Sequence, residues 1–325
     1  MLKIVYAASP EPAVKPLQVL AENPGFEIVA VITNPASSQK RSKEPVPTPV
    51  AVAAEELGIK TFTPEKLSEI ADDLAALKPD ILVCFAYGKI FSTGFLSIFP
   101  LGGINLHPSL LPLYRGCAPV PAAILAKDTV TGITVQRLAK KMDSGNILLQ
   151  EKLELNGTET TESLLATVAE LGGAYFERVL TQIAAGTVTE VEQDESKATY
   201  CGMLNKEDGL IDWNASALDI CAKVRAFYPW PSTFTQNGGN TLLIHGAKVL
   251  AGEQFAELPP EIADAEKSAN PGTVLGMSKK HGIIIKTGDG LLAVTNLQWK
   301  AKKAMDYKSF MNGSRDFIGS VCGNA

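Results

Sequence analysis

Short apolar runs alternate with helical patterns through the first half of the chain, and nothing else in the sequence constrains the fold as tightly. Lys3 to Ala7, Phe26 to Thr33, Ile81 to Phe85 and Gly103 to His107 read as short buried strands. Between them lie helical stretches, Pro12 to Ala21, Ala51 to Leu57 and Leu67 to Leu77. In the last of these Leu67, Ile70, Leu74 and Leu77 share one side. Two more strand-like runs, Thr131 to Leu138 and Ile147 to Leu155, precede a long helix from about Thr161 to Ala185, closed by Gly186. Strands of this kind, separated by helices, predict an α/β domain with a mostly parallel, Rossmann-like sheet covered on both faces. No Gly-x-Gly-x-x-Gly follows the first strand, and no P-loop or Gly-x-Ser-x-Gly is present. A nucleotide cofactor and a serine hydrolase are therefore disfavoured.

A chain of 325 residues is too long for one typical core, so two domains are expected. The chain turns polar between Glu190 and Asn205, with Gln193-Asp194-Glu195-Ser196-Lys197 at the centre. This places a catalytic domain at 1–189, a linker at 190–206 and a smaller domain at 207–325. The last part holds short strand-like runs at Thr241 to Ile244, Lys248 to Leu250, Gly272 to Leu275, Gly282 to Lys286 and Leu291 to Leu297. Turns such as Gly238-Gly239-Asn240 and Gly288-Asp289-Gly290 separate them, which suggests a small β-barrel. Glu257 to Asn270 reads as an exposed insertion.

Chemistry concentrates at Asn105-Leu106-His107-Pro108-Ser109-Leu110-Leu111-Pro112-Leu113-Tyr114-Arg115-Gly116. Asn105 and His107 are two apart, so a strand presents both on one face while Ile104 and Leu106 point into the core. Pro108 stops the strand there. An amide donor beside an imidazole suits oxyanion stabilisation and proton transfer. The turn Asp143-Ser144-Gly145, downstream of another strand, could bring a carboxylate to orient the imidazole. Asp-Ser-Gly is also ordinary turn chemistry, and Asn105 could cap a strand end. Cys117 lies near in sequence, but no helper base is apparent for it as a nucleophile.

These residues resemble the formyltransferases that use 10-formyltetrahydrofolate. The shared set is Asn105, His107, Ser109 to Pro112, Arg115-Gly116 and Asp143, in this order and at this spacing. Thr48-Pro49-Val50, Ala86-Tyr87-Gly88, Ile211-Asp212-Trp213, Arg225-Ala226-Phe227 and Pro229-Trp230-Pro231 narrow the resemblance to the methionyl-tRNA formyltransferases, from Lys3 to about Arg315. The chain departs from the family at Tyr6-Ala7-Ala8-Ser9-Pro10, at Leu113-Tyr114 and at Lys141-Met142, none of which removes a reacting group. The resemblance implies formyl transfer from 10-formyltetrahydrofolate to initiator methionyl-tRNA, with Asn105, His107 and Asp143 catalytic and no metal. It implies an OB-like barrel in the second domain. It implies a folate slot formed by Ser109, Leu110, Leu111 and Pro112 with Phe85, Tyr87, Gly88 and Ile90. It also implies that the loop at residues 34–49, carrying Lys40, Arg41 and Lys43, meets tRNA, together with Lys206.

Charge and cysteines bound the setting. The net charge is −5. Residues 190–278 hold 6 Lys+Arg against 13 Asp+Glu, whereas residues 279–325 hold 8 against 3. That tail could present a local basic face to phosphates on an otherwise acidic protein, or simply a solvated surface. Five scattered cysteines without Cys-x-x-Cys spacing indicate neither a disulfide frame nor a zinc knuckle. A reducing cytoplasm, a monomer and no membrane partner are the expectation. Two other readings compete: the same chemistry on a nucleotide-linked amino sugar or on glycinamide ribonucleotide, and a non-catalytic RNA-binding protein on the same fold.

Overall fold

A computed structural model of the chain describes residues 1–38 and 44–323. Two compact units emerge, one of Met1–Val120, Thr129–Leu155 and Ser163–Gly202, the other of Pro121–Asp128, Asn156–Glu162 and the chain from Met203 onward. In chain order the first unit contains β1 (Leu2–Ala8), β2 (Phe26–Ile32), a two-residue ladder of β3 (Ser37–Ser38) with β4 (Pro45–Val46), β5 (Thr61–Phe62), β6 (Ile81–Phe85), β7 (Gly103–His107), β8 (Arg115–Gly116), β9 (Val130–Arg137), β10 (Ile147–Glu154) and β11 (Tyr200–Cys201).

Seven of these strands form the main sheet in the order β10-β9-β7-β6-β1-β2-β5. β5, β2, β1, β6 and β7 run parallel, while β9 and β10 add an antiparallel edge. The mostly parallel, Rossmann-like sheet read from the alternation is thus present. Both faces are covered, which is why the parallel strands are mostly apolar. Ile4, Tyr6, Ile81, Val83, Phe85, Ile104 and Leu106 pack on one face against Leu17 and Leu20 of the helix Val14–Glu22 and Phe176 and Leu180 of the helix Thr161–Ala184. Val5, Ala7, Leu82 and Cys84 point to the other face, against Ile70, Leu74, Phe95 and Phe99.

Two topological facts position a site. The chain leaves β1 toward β2 on one side and returns through β6 and β7 on the other, so a crevice opens at the carboxyl ends of β1 and β6. Register then aligns Cys84 with Asn105 and Asn105 with Gln136, and next to that row His107 with Thr134. Residues 190–202, read from composition as part of a linker, are built into the first unit. Val191 bridges Ile147, β11 pairs with β8, and Gln193 is buried. Polar composition suggests solvation, and most of these side chains are exposed, but Gln193 and Glu195 turn their oxygens to the buried Arg115.

The second unit holds an antiparallel sheet of β12 (Thr233–Asn237), β13 (Asn240–Leu250), β14 (Val274–Ser278), β15 (Gly282–Lys286), β16 (Leu291–Trp299) and β17 (Met305–Asp306), in the order β12-β13-β16-β15-β14 with β17 on β16. Gly238 and Gly239, with φ of 55° and 78°, make the two-residue turn between β12 and β13. Thr241–Ile244 and Lys248–Leu250, two strands by their pattern, are one strand whose register shifts around Gly246. Val321 and Gly323 bridge Thr273 and Gln236, so the last residues join both outer edges of the sheet. The stretch from Glu257 to Asn270 differs from the exposed insertion its composition suggests. It includes the helix Pro260–Glu266, and Leu258 and Ile262 are buried against Leu250, Leu275 and Ile284. Among the described residues no helix is long and apolar enough to cross a membrane.

Candidate active site

β7 ends where Pro108 removes the next ladder donor, and His107 is its last residue. The imidazole is buried, 4% exposed. Its Nε2 lies 2.8 Å from the carbonyl oxygen of Tyr114. A carbonyl can only accept, so Nε2 carries the hydrogen and donates. In neutral His107 the free lone pair is therefore on Nδ1. That atom lies 3.6 Å from Oδ2 of Asp143. Burial pushes the His107 pKa below its ordinary value and outweighs the Asp143 carboxylate and the Tyr114 carbonyl, which pull upward. Near neutral pH the ring is thus a base, ready to take a proton at Nδ1 and present it to Asp143.

Asp143 comes from the connection between β9 and β10. Its backbone is left-handed, φ 51°, as is that of Tyr114, φ 58°. Such conformations cost a non-glycine residue about 1–3 kcal/mol and persist only where the surroundings hold them. The surroundings here are dense. Oδ2 accepts the Gly116 backbone N–H at 2.8 Å, and Oδ1 accepts the Gln136 side-chain N–H at 2.9 Å. Gln193 donates to the carbonyls of Asp143 and Gly145 at 2.9 and 2.7 Å. Gly145 packs so tightly that a Cβ on it would sit 1.8 Å from the Arg137 carbonyl oxygen. Only glycine fits at that point of the turn.

Asn105 is half-buried and lies between Cys84 and Gln136 in its row of the sheet. Strand alternation puts its carboxamide on the same face as His107. No hydrogen bond engages that carboxamide among the described residues. The structure brings together a free amide donor, an imidazole with an open nitrogen and a carboxylate held by two N–H groups. Asn105, His107 and Asp143 are the residues singled out from sequence for that chemistry. Gln136 and Gln193 are not legible in the same way. A signal existed for Gln136: it and Thr134 follow Val130 and Gly132 as the two polar positions on one face of β9.

The segment after His107 is rigidly fixed. The Ser109 hydroxyl donates to the Leu113 carbonyl at 2.6 Å, and the Ser109 carbonyl accepts from Thr134 at 2.7 Å. Leu111 is buried, whereas Leu110 and Pro112 are half-buried, with Leu110 lying against Gly132. Phe85 and Tyr87 are core residues, 2% and 1% exposed, and the Tyr87 ring stacks on Phe91 at 5.5 Å. The Tyr87 hydroxyl is buried without a partner, and Gly88 and Ile90 are exposed beside it. Asn34 donates to the Tyr87 carbonyl at 3.1 Å, tying the loop after β2 to the loop after β6. Lys206 is exposed on the turn Lys206–Gly209 of the second unit. Lys40, Arg41 and Lys43 lie outside the described residues. Of the basic tail, Lys280 pairs with Glu257 at 2.7 Å and Lys286 pairs with Glu266, while Lys279, Lys300, Lys302 and Lys303 are exposed.

Comparison with known proteins places this geometry. Residues 3–180 match the Formyl transferase family, and residues 203–315 match Formyl transferase, C-terminal domain. The methionyl-tRNA formyltransferase of Treponema denticola is 45% identical over 328 residues, covering 98% of each chain. The chain belongs to the methionyl-tRNA formyltransferase family. The relative from Treponema pallidum subsp. pallidum, also named methionyl-tRNA formyltransferase, is 41% identical over 97% of both chains. Among solved structures, the formyltransferase fold is shared with WlaRD, a sugar 3N-formyl transferase crystallised in the presence of dTDP and 5-N-formyl-THF. Its TM-score is 0.64 at 20% identity, covering 93% of this chain and 99% of that one. At that identity the likeness speaks for the fold alone.

Proposed function

We propose that this formyltransferase moves the formyl group of 10-formyltetrahydrofolate to the α-amino group of methionine esterified to initiator tRNA. The observation that carries the reading is the meeting of Asn105, His107 and Asp143 on one sheet end in a chain that matches its methionyl-tRNA formyltransferase relatives from end to end. The attacking amine must be uncharged. A free α-amino group has a pKa of about 7.7–8.0, and esterification lowers it, so the amine is available near neutral pH. Asn105 donates its amide N–H to the formyl oxygen, where negative charge builds during attack. His107 takes the proton of the attacking nitrogen at Nδ1, Asp143 Oδ2 steadies the imidazolium, and His107 returns the proton to N10 as the old C–N bond breaks. The new C–N bond replaces the old one and the proton moves from amine to N10, so no oxidant, metal or covalent enzyme intermediate enters the balance.

Several residues support substrate binding in this reading. The crevice at the ends of β1 and β6 receives the pterin, with Ser109, Leu110, Leu111 and Pro112 on one side and Gly88 and Ile90 on the other. Phe85 and Tyr87, being buried, shape the slot from behind. Lys40, Arg41 and Lys43 contact the tRNA, as does Lys206, with the exposed lysines of the tail as further phosphate partners. The second domain is an OB-like barrel, and the protein works as a cytoplasmic monomer. The deciding assay supplies 10-formyltetrahydrofolate and one acceptor at a time to purified protein. Formylation of methionyl-tRNA supports the reading; formylation of a nucleotide-linked amino sugar but not of methionyl-tRNA overturns it.

A further inference from the structure

Resting on that reading, we infer that Gln193 is a positioning residue for formyl transfer: held by Arg115, it fixes the backbone of the Asp143 turn and, through Gln136, the plane of the Asp143 carboxylate. The inference rests on a chain of hydrogen bonds whose direction is chemically forced. Arg115 is 1% exposed, and its guanidinium can only donate. Its Nε and Nη2 reach Oε1 of Gln193 at 3.0 and 2.8 Å. The Gln193 amide therefore turns its oxygen to Arg115 and its nitrogen away. That nitrogen meets three acceptors: the Gly145 carbonyl at 2.7 Å, the Asp143 carbonyl at 2.9 Å and Oε1 of Gln136 at 3.3 Å. Gln136 is thereby oriented too, with its own nitrogen 2.9 Å from Oδ1 of Asp143. Reversing either amide would set oxygen against oxygen. Every link thus donates toward Asp143, whose other oxygen is left for Gly116 N–H and His107.

The anchor at the far end is firm. Arg115 also donates to Glu195 at 2.7 and 3.1 Å and to the Tyr200 hydroxyl at 3.1 Å. Glu195 and its neighbours hold the guanidinium, and the side-chain bond to Glu195 raises the Arg115 pKa. The same segment grips the opposite side of the site. Arg115 N–H donates to the Thr199 carbonyl, Tyr114 N–H to the Thr199 hydroxyl, and Cys117 N–H to the Cys201 carbonyl. Tyr114 supplies the carbonyl that orients His107, and Gly116 the N–H that orients Asp143. Residues 193–201 therefore hold both halves of the dyad in register. Gln193 touches no reacting atom; its effect passes through Asp143.

A double-mutant cycle tests this. Gln193→Met keeps the length and apolar bulk of the side chain but removes both its donors and its acceptor. We expect kcat for formylation of methionyl-tRNA to fall by ~10–10²-fold, the scale of a small misplacement of a reacting group, with both KM values within about two-fold. In an Asp143→Asn background the same substitution should cost less than about three-fold, because the group it positions is already gone. Gln136→Met, which removes only the last link, should show the same split and the same loss of effect; it stands in if Gln193→Met does not fold. Equal losses in both backgrounds, or a loss confined to KM, would overturn the assignment. Should the unmodified protein fail to formylate methionyl-tRNA, the proposed function falls instead, so the two failures are distinct.

Discussion

Replacing Asn105 by Ala isolates the oxyanion donor from everything else in the site. The carboxamide is half-buried and bonded to no other described residue, so its removal breaks no internal hydrogen bond. The backbone pairing of Asn105 to Cys84 and Gln136 survives, and Ile104 and Leu106 keep the strand in the core. Stability should therefore change by less than ~1 kcal/mol, as for most substitutions that neither open a core cavity nor orphan a polar group. The transition state loses one preorganised donor, which costs about 10²–10³ in kcat, or roughly 2.7–4 kcal/mol. The assay is steady-state formylation of methionyl-tRNA with kcat and KM resolved for each substrate, alongside thermal unfolding. The loss should lie in kcat, with Tm within about 2 °C, in keeping with the shift that ~1 kcal/mol produces in a chain this long. Asn105→Asp, nearly the same shape with an acceptor where a donor stood, should be at least as damaging. A kcat within five-fold of the starting protein, or a loss carried by KM, would refute the oxyanion role.

Other consequences are as specific. His107→Ala should lower kcat by ~10² or more while leaving tRNA affinity in a filter-binding titration nearly unchanged, since the ring sits in the core of the site. Because burial lowers the His107 pKa in the fold, the unfolded chain binds the proton more readily; the stability tied to this group is full above the unfolded value near 6.5 and is lost as pH falls through it toward the folded one. Chemical unfolding between pH 7.5 and 5 should accordingly show a steeper loss than in His107→Gln. Gly145→Ala, which drives a Cβ into the Arg137 carbonyl, should destabilise by ~1–3 kcal/mol and reduce kcat by displacing the Asp143 turn, read by unfolding and kinetics together.

Much of the fold was legible because buried parallel strands leave an unmistakable apolar signature. Ile81–Phe85 and Gly103–His107 match their expected bounds, and the long helix ends at Ala184, one residue short of the reading. Of the candidate site residues, Asn105 and His107 are placed together by period two, whereas Asp143, on a distant turn, was joined to them only through the family resemblance. Where the reading diverged, polarity was the cause. Gln193 and Glu195 look like solvated connector residues, yet they bind Arg115. Leu258 and Ile262 are too few among charged neighbours to suggest a packed helix, yet both are buried on the sheet. Composition counts polar groups without saying which way they face.

Strand β7 does two jobs with a single rhythm. Its odd-even alternation sends Ile104 and Leu106 one way and Asn105 and His107 the other, so a slip of one residue would turn the apolar pair toward the crevice and the polar pair into the core at once. Inserting or deleting a residue there cannot damage turnover while sparing folding. A loop-borne histidine could change its place in small steps; one mounted on this strand can be replaced singly, but it cannot move along the chain without moving the core residues beside it.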